Sequence, residues 1–284
     1  MASHELIARL TSHGMPLVVA TDLDGTLLRT DGSVSGRTRR AMAAAEETGL
    51  RTVLVTARPP RWLDDLESIV GAHGVALCGN GAFVYDVPSR TVTANYGFDP
   101  VDLARVVADL RRKLPGISFA VELASGFGLE DGYASDYPVP AGAVRGPVDA
   151  VVGEPVGKLL ARHPGIADEV FRAAVAHVVG ERGIVAYSGA DGLAEISAPG
   201  VTKAAGLARW CTDLGILPDV VWAFGDMPND LPMLAWAATG VAVANAHPDV
   251  LAAADVVCPA NDDDGVAQVL EMLAHGPRPH GLTG

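Results

Sequence analysis

Aromatic residues make up only 5% of the 284-residue chain, and cysteine occurs three times, at Cys78, Cys211 and Cys258. Widely spaced cysteines, odd in number and without a C-x-x-C pair, give neither a disulfide framework nor a zinc knuckle, so they read as buried thiols of a reducing compartment. With so few rings, the core must be mostly Ala, Val and Leu. Positive charge is also scarce: 21 Lys and Arg against 34 Asp and Glu leave a formal net charge of −13. That balance argues against nucleic acid and anionic membrane as partners, and an anionic substrate would need a local cation. Long apolar runs are missing as well. The longest uncharged run, Leu231 to Asn245, is too short to span a bilayer and is broken by Pro232, Thr239 and Gly240. At the N-terminus Leu6, Ile7 and Leu10 have helical spacing, but Glu5 and Arg9 interrupt any signal-peptide stretch. The expected location is the cytoplasm, as a monomer or homodimer. The eight histidines include no H-x-x-x-H pair, which favours surface or capping roles over metal ligation.

What is present is a globular composition, 49% hydrophobic with 32 Gly and 19 Pro, long enough for one large domain or two ordinary ones. Short apolar runs alternate with amphipathic stretches in the first third: strands at Leu17–Ala20, Thr52–Val55 and Val75–Cys78, with helices at Ser35–Thr48 and Arg61–Val70 between them. The rhythm returns after about residue 197, with helices at Thr202–Leu214, Leu231–Ala238, Pro248–Ala254 and Gly265–Ala274 and strands at Val220–Phe224, Val241–Ala244 and Val256–Cys258. This is the pattern of a parallel sheet wound with helices. From about Ala82 to Ile196 the pattern changes. AFVYDVPSRTVTANYGF alternates polar and apolar residues about a turn at Pro88 and Ser89, a hairpin signature, and amphipathic helices at Val101–Leu114 and Ile166–Val179 follow. Residues 82–196 therefore read as an α+β domain inserted into a core formed by 1–81 and 197–284.

In a wound parallel sheet, ligands bind outside the carboxyl ends of the strands. Strand one ends in Thr21, Asp22, Leu23, Asp24; strand two in Thr56, Ala57, Arg58; and the Val220 strand in Gly225, Asp226, Met227, Pro228, Asn229, Asp230. Alternate residues of an extended chain share a side, so Asp22 and Asp24 can converge before Gly25 turns the backbone. With Asp226 they form an all-oxygen cluster that suits Mg²⁺ rather than Zn²⁺. Thr56 and Lys203 supply donors for a phosphate. With its charge neutralised, Asp22 fits as a nucleophile on phosphorus and Asp24 as the acid and then base. Each motif alone has a plainer reading: aspartates before glycine make turns, Asn229 or Asp230 can cap the Leu231 helix, and Gly79, Asn80 and Gly81 make a turn or a hinge. Two motifs in order, each directly after a strand, favour the catalytic reading.

DLDGT at Asp22–Thr26, Thr56 of VLVTAR, Lys203 and GDMPND at Gly225–Asp230 resemble the four motifs of the haloacid dehalogenase superfamily of phosphohydrolases. CGNGA at Cys78–Ala82, VAVANA at Val241–Ala246 and NDDDGVAQVL at Asn261–Leu270 extend the resemblance to Cof-like subclass IIB members; within the insertion, GKLLARH at Gly157–His163 is the most similar stretch. The resemblance implies a Rossmann-like α/β core with helices on both faces and an inserted α+β cap domain. It implies Asp22 as nucleophile and Mg²⁺ ligand, Asp24 as acid/base and as a ligand through its carbonyl, Asp226 as the third protein ligand and Asp230 as their orienter. Thr56, Lys203 and Asn229 would contact phosphate, and Arg58 would lie near the substrate or cap. Ala57 departs from the glycine of many relatives; its methyl would narrow the phosphate loop slightly and leave the Thr56 hydroxyl contact with phosphate in place. The expected function is Mg²⁺-dependent hydrolysis of a small phosphorylated metabolite, such as a sugar phosphate, through an aspartyl phosphate. The alternatives are a phosphomutase of sugar phosphates and a non-catalytic metabolite-binding protein of the same fold.

Overall fold

The computed structural model describes residues 14–63, 66, 69–70, 74–151, 153–186 and 192–275. Strand β1 (Val18–Thr21) is buried at every position, as a central strand covered on both faces must be. One wide turn over Leu23–Leu27, closed by the Leu28 amide on the Leu23 carbonyl at 2.8 Å, follows, with Gly25 at φ 78°. Helix α1 (Gly36–Glu47) starts at Ser35, whose hydroxyl accepts the Thr38 amide at 2.9 Å. Strands β2 (Arg51–Val55) and β3 (Val75–Cys78) then run parallel to β1. Of the helix expected over 61–70, Pro60–Trp62 forms a single 3-10 turn, while residues 64, 65, 67 and 68 lie outside the described ones. The pattern at Leu6, Ile7 and Leu10 also lies outside them.

The hairpin β4 (Phe83–Asp86) and β5 (Thr91–Asn95) forms as its alternation predicts, but it does not open a separate domain. It pairs antiparallel with β3, Cys78 opposite Phe83, and extends the core sheet. Alternation specifies an antiparallel strand without specifying its sheet. The choice is made by the tight turn at Gly79–Gly81, where Asn80 sits at φ 58° and the chain doubles back along β3.

A second sheet comes from α2 (Pro100–Lys113), β6 (Ser118–Leu123), β7 (Gly126–Leu129), β8 (Val144–Arg145), α3 (Val148–Val151), β9 (Val156–Arg162), α4 (Asp168–Val179), β10 (Ile184–Ala186) and β11 (Leu193–Ser197). Its order is β10-β11-β9-β6-β7-β8, antiparallel except for β7 with β8. Phe119, Val121, Leu159, Ala161 and Ile196 pack with Leu103, Val106, Phe171 and Val175 of α2 and α4. The opposite face carries Ala120, Leu160 and Leu193, alternating with Glu122, Lys158 and Glu195.

The chain re-enters the core with α5 (Lys203–Asp213), β12 (Val221–Gly225), α6 (Leu231–Trp236), β13 (Thr239–Val243), α7 (Pro248–Ala253), β14 (Val256–Cys258) and α8 (Gly265–His275). The eight-stranded order is β14-β13-β12-β1-β2-β3-β4-β5. β1 to β2 steps one way and β12 to β13 the other, so right-handed crossovers place their helices on opposite faces. α1 packs on α8, and α5 on α6. Thr21 lies opposite Leu54 and Phe224, so Asp22, Thr56 and Asp226 leave the sheet at one edge, where the strand order reverses. Among the described residues, no helix is long and apolar enough to cross a membrane.

Candidate active site

The β1 extension carries Asp22, 5% exposed, to the mouth between β1 and β12. Its Oδ1 lies 2.8 Å from Nζ of Lys203, the first residue of α5, whose N-cap Thr202 accepts the Ala205 amide at 3.1 Å. The same ammonium lies 2.6 Å from Asp230 Oδ1. Asp230 is folded back so that Oδ2 accepts the amides of Asp226 and Met227 at 3.1 and 3.0 Å. That fold requires Gly225, because a Cβ there would stand 2.5 Å from the Cβ of Asp230. Asp226 Oδ1 accepts the Thr26 hydroxyl at 2.7 Å. The β1 turn passes Asp226 only because residue 25 is glycine: its φ is +78°, and a Cβ would lie 2.5 Å from Asp226 Oδ2. Asn245 Nδ2 holds the Gly25 carbonyl at 2.8 Å from the far side.

Carboxylate oxygens of Asp22, Asp226 and Asp230 lie within 4.8 Å of one another. Burial pushes the Asp22 carboxyl up to about 7, with Lys203 opposing and Asp230 adding to the shift. Burial also raises Asp226, against the Thr26 hydrogen bond. For Lys203 burial works downward, but Asp22 and Asp230 outweigh it and hold the ammonium charged. Two carboxylates therefore share one buried cation and a third lies beside them, an excess of negative charge that a bound metal ion would neutralise.

Asp24 takes no part in this cluster through its carboxylate. Its side chain is 58% exposed and gripped by Arg58, Nε to Oδ2 at 2.9 Å and Nη2 to Oδ1 at 2.5 Å. Thr56 is fully buried, its Oγ1 accepting the Arg58 amide at 3.1 Å. Ala57 and Arg58 are half-buried beside it, and Asn229 is exposed at the rim. Asn80, on the next strand end, is 9% exposed, and its Oδ1 has no hydrogen-bond partner among the described residues.

Sequence reasoning passed over the residues that face this edge from the second sheet. Lys158 Nζ lies 2.6 Å from Glu195 Oε2 and donates to the Ala57 carbonyl at 3.0 Å. Arg61 grips Glu122 through two hydrogen bonds of 2.9 and 2.7 Å, and Trp62 meets Tyr137 edge-on at 4.7 Å. The available signal was a lone lysine inside the apolar run of β9.

Buried carboxylates and a lysine gathered at the strand ends of an α/β core are the arrangement of an enzyme site. Residues 19–270 match the haloacid dehalogenase-like hydrolases, and the chain belongs to that family. Pyridoxal phosphate phosphatase YbhA of Escherichia coli is 26% identical over 269 residues, covering 89% of this chain and 97% of that protein. Endoribonuclease YBEY of Arabidopsis thaliana chloroplasts is 28% identical over 268 residues, 89% of this chain, which spans 46% of that longer protein. The fold is that of a haloacid dehalogenase-like hydrolase from Bacteroides thetaiotaomicron, with a TM-score of 0.75, 24% identity, and 90% and 98% of the two chains covered. The family places the chain among the hydrolases.

Proposed function

We propose that this hydrolase is a phosphatase acting on a small phosphorylated metabolite, a sugar phosphate or similar phosphomonoester, through an aspartyl phosphate on Asp22, with Mg²⁺ as its cofactor. The observation that carries the reading is the buried Asp22 carboxylate, held at 2.8 Å by Lys203 at the open edge of the sheet. A carboxylate fixed on one oxygen by a cation is an oriented nucleophile.

The donor set fits a hard cation: oxygen only, with more carboxylate than cationic charge. Asp22, the Asp24 carbonyl and Asp226 would hold Mg²⁺, which supplies charge neutralisation for the phosphoryl group. The chain does the rest. Thr56, Lys203, Asn229 and the amides of the Asp22–Gly25 turn bind phosphoryl oxygens, and the Ala57 methyl narrows that loop. Asp22 attacks phosphorus as the bond to the leaving oxygen breaks. Asp24 gives that oxygen its proton and then accepts one from the water that opens the acyl phosphate. Arg58 holds the Asp24 side chain in place. Asp230 orients Lys203 and the Asp226 backbone.

With the Phe83–Asn95 hairpin on the core sheet, the inserted cap runs from about residue 97 to 197. The open face of its sheet meets the site and selects the leaving group. Three free, buried cysteines accord with a cytoplasmic location, with the chain a monomer or homodimer.

The test is phosphate release from a panel of phosphomonoesters, with Mg²⁺ and with EDTA. Asp22→Asn is expected to lower turnover by roughly a thousandfold or more with unchanged circular dichroism. Undiminished release by that variant removes Asp22 as the nucleophile.

A further inference from the structure

Lys158 stands in VGKLLAR, an otherwise apolar stretch of β9 up to Arg162, with its side chain only 6% exposed. Burying an ammonium is costly, and a methionine would fill the same space without that cost. Glu195 at 2.6 Å compensates the charge. It does not account for the further contact, 3.0 Å from Nζ to the carbonyl of Ala57, which crosses from the inserted sheet to the core.

The loop after β2 presents three successive carbonyls. Thr56 O accepts the Asn80 amide at 2.9 Å, and Arg58 O accepts the Gly79 amide at 2.9 Å. Both bonds are internal to the core. The middle carbonyl, Ala57 O, receives its hydrogen bond from Lys158. This peptide sits between the Thr56 hydroxyl and the guanidinium that grips Asp24.

We propose that Lys158 is a positioning residue for the phosphate loop: the inserted domain supplies a donor to the Ala57 carbonyl, while the Arg58 amide of the same peptide is held by Thr56 Oγ1, and so aligns Thr56 with Arg58. Glu195 holds the ammonium in place. The proposal rests on the phosphatase reading above. It assigns Lys158 no contact with substrate. Without the donor, the Ala57 peptide rotates and the two flanking side chains lose register, and an error of about 1 Å in such a group can cost up to a hundredfold in rate.

Replacing both charges, Lys158→Met with Glu195→Met, separates positioning from stability, because apolar replacement of a whole buried ion pair is often neutral or stabilising. Thermal melting, steady-state turnover of the best phosphomonoester from the panel, and inhibition by inorganic phosphate with Mg²⁺ are measured on the full chain. The double variant is expected to melt at or above the wild-type temperature, to lose roughly ten- to a hundredfold in kcat/KM, and to be inhibited more weakly by phosphate. Wild-type turnover and wild-type phosphate inhibition in a fully folded double variant overturn the proposal. If that variant does not fold, Lys158→Met and Glu195→Gln decide the matter. Both break the ion pair, but only the first removes the donor to Ala57, so equal losses overturn it. Asp22→Asn is run alongside: an inactive Asp22→Asn beside a fully active double variant refutes Lys158 alone, whereas an active Asp22→Asn refutes the phosphatase reading itself.

Discussion

At the core's strand ends, Asp22 and Asp230 share Lys203 with Asp226 clustered beside them, whereas on the open face of the inserted sheet Glu122 meets Arg61 and Glu195 meets Lys158, one to one. Both regions bury charge, and the difference lies in the balance. An excess of carboxylate in a buried site is unstable by itself and calls for a cation. Matched pairs call for nothing further, and their work is to fix one surface against another. The first region is equipped for chemistry and the second for docking and alignment.

The largest effect expected from breaking this contrast comes from Lys203→Met. It leaves the Asp22 and Asp230 carboxylates buried without their cation, at a cost of about 3–5 kcal/mol. Phosphate release should fall to background in the same variant, and denaturant unfolding reads the stability term. A stability loss no greater than that of Lys158→Met would mean that the two regions carry charge in the same way after all.

The core half of this contrast was legible in the sequence and the docking half was not. Asp22, Thr56, Lys203, Asp226 and Asp230 follow or precede apolar runs at places that a parallel sheet brings to one edge, so spacing and strand order suffice to gather them. The glycines at 25 and 225 are the small residues that this gathering needs. The bond from Lys158 to Ala57 joins residues 101 apart on two different sheets, and no periodicity encodes how those sheets face each other. The β4–β5 hairpin fails for the same reason: its alternation is local, but its partner strand is a matter of the turn at Asn80. Asp24 shows the limit at the level of one side chain, since spacing aligns it with Asp22 while the Arg58 pair turns its carboxylate away.

A second, smaller break acts through protons. Burial raises Asp22 from 3.8 to about 7, so between those values the folded state keeps a proton that the unfolded chain has released. Stability in EDTA therefore falls as pH rises from about 4 to about 7, on the order of a few kcal/mol for this group. The effect is read as wild type minus Asp22→Asn, so that the other titrating groups cancel. That difference should shrink steadily across the window, and adding Mg²⁺ should flatten it, since a bound cation favours ionised Asp22. A difference independent of pH would show that Asp22 is already ionised beside Lys203 in the metal-free protein.

The smallest effect sharpens the docking side. Glu122 is 4% exposed and holds Arg61, whose guanidinium also lies 4.9 Å from the Trp62 ring and 4.7 Å from that of Phe127. Glu122→Gln removes the charge but keeps an acceptor, so about 1–3 kcal/mol of stability should be lost. Turnover should change little, because the carbonyls of Thr56, Ala57 and Arg58 keep all three of their donors when Glu122 is altered. Arg61 anchors the flank of the loop, whereas Lys158 holds the peptide between the two working side chains. Comparing kcat/KM for Glu122→Gln and Lys158→Met therefore tests whether alignment resides in that single peptide. Equal losses would assign it to the docking of the two sheets as a whole.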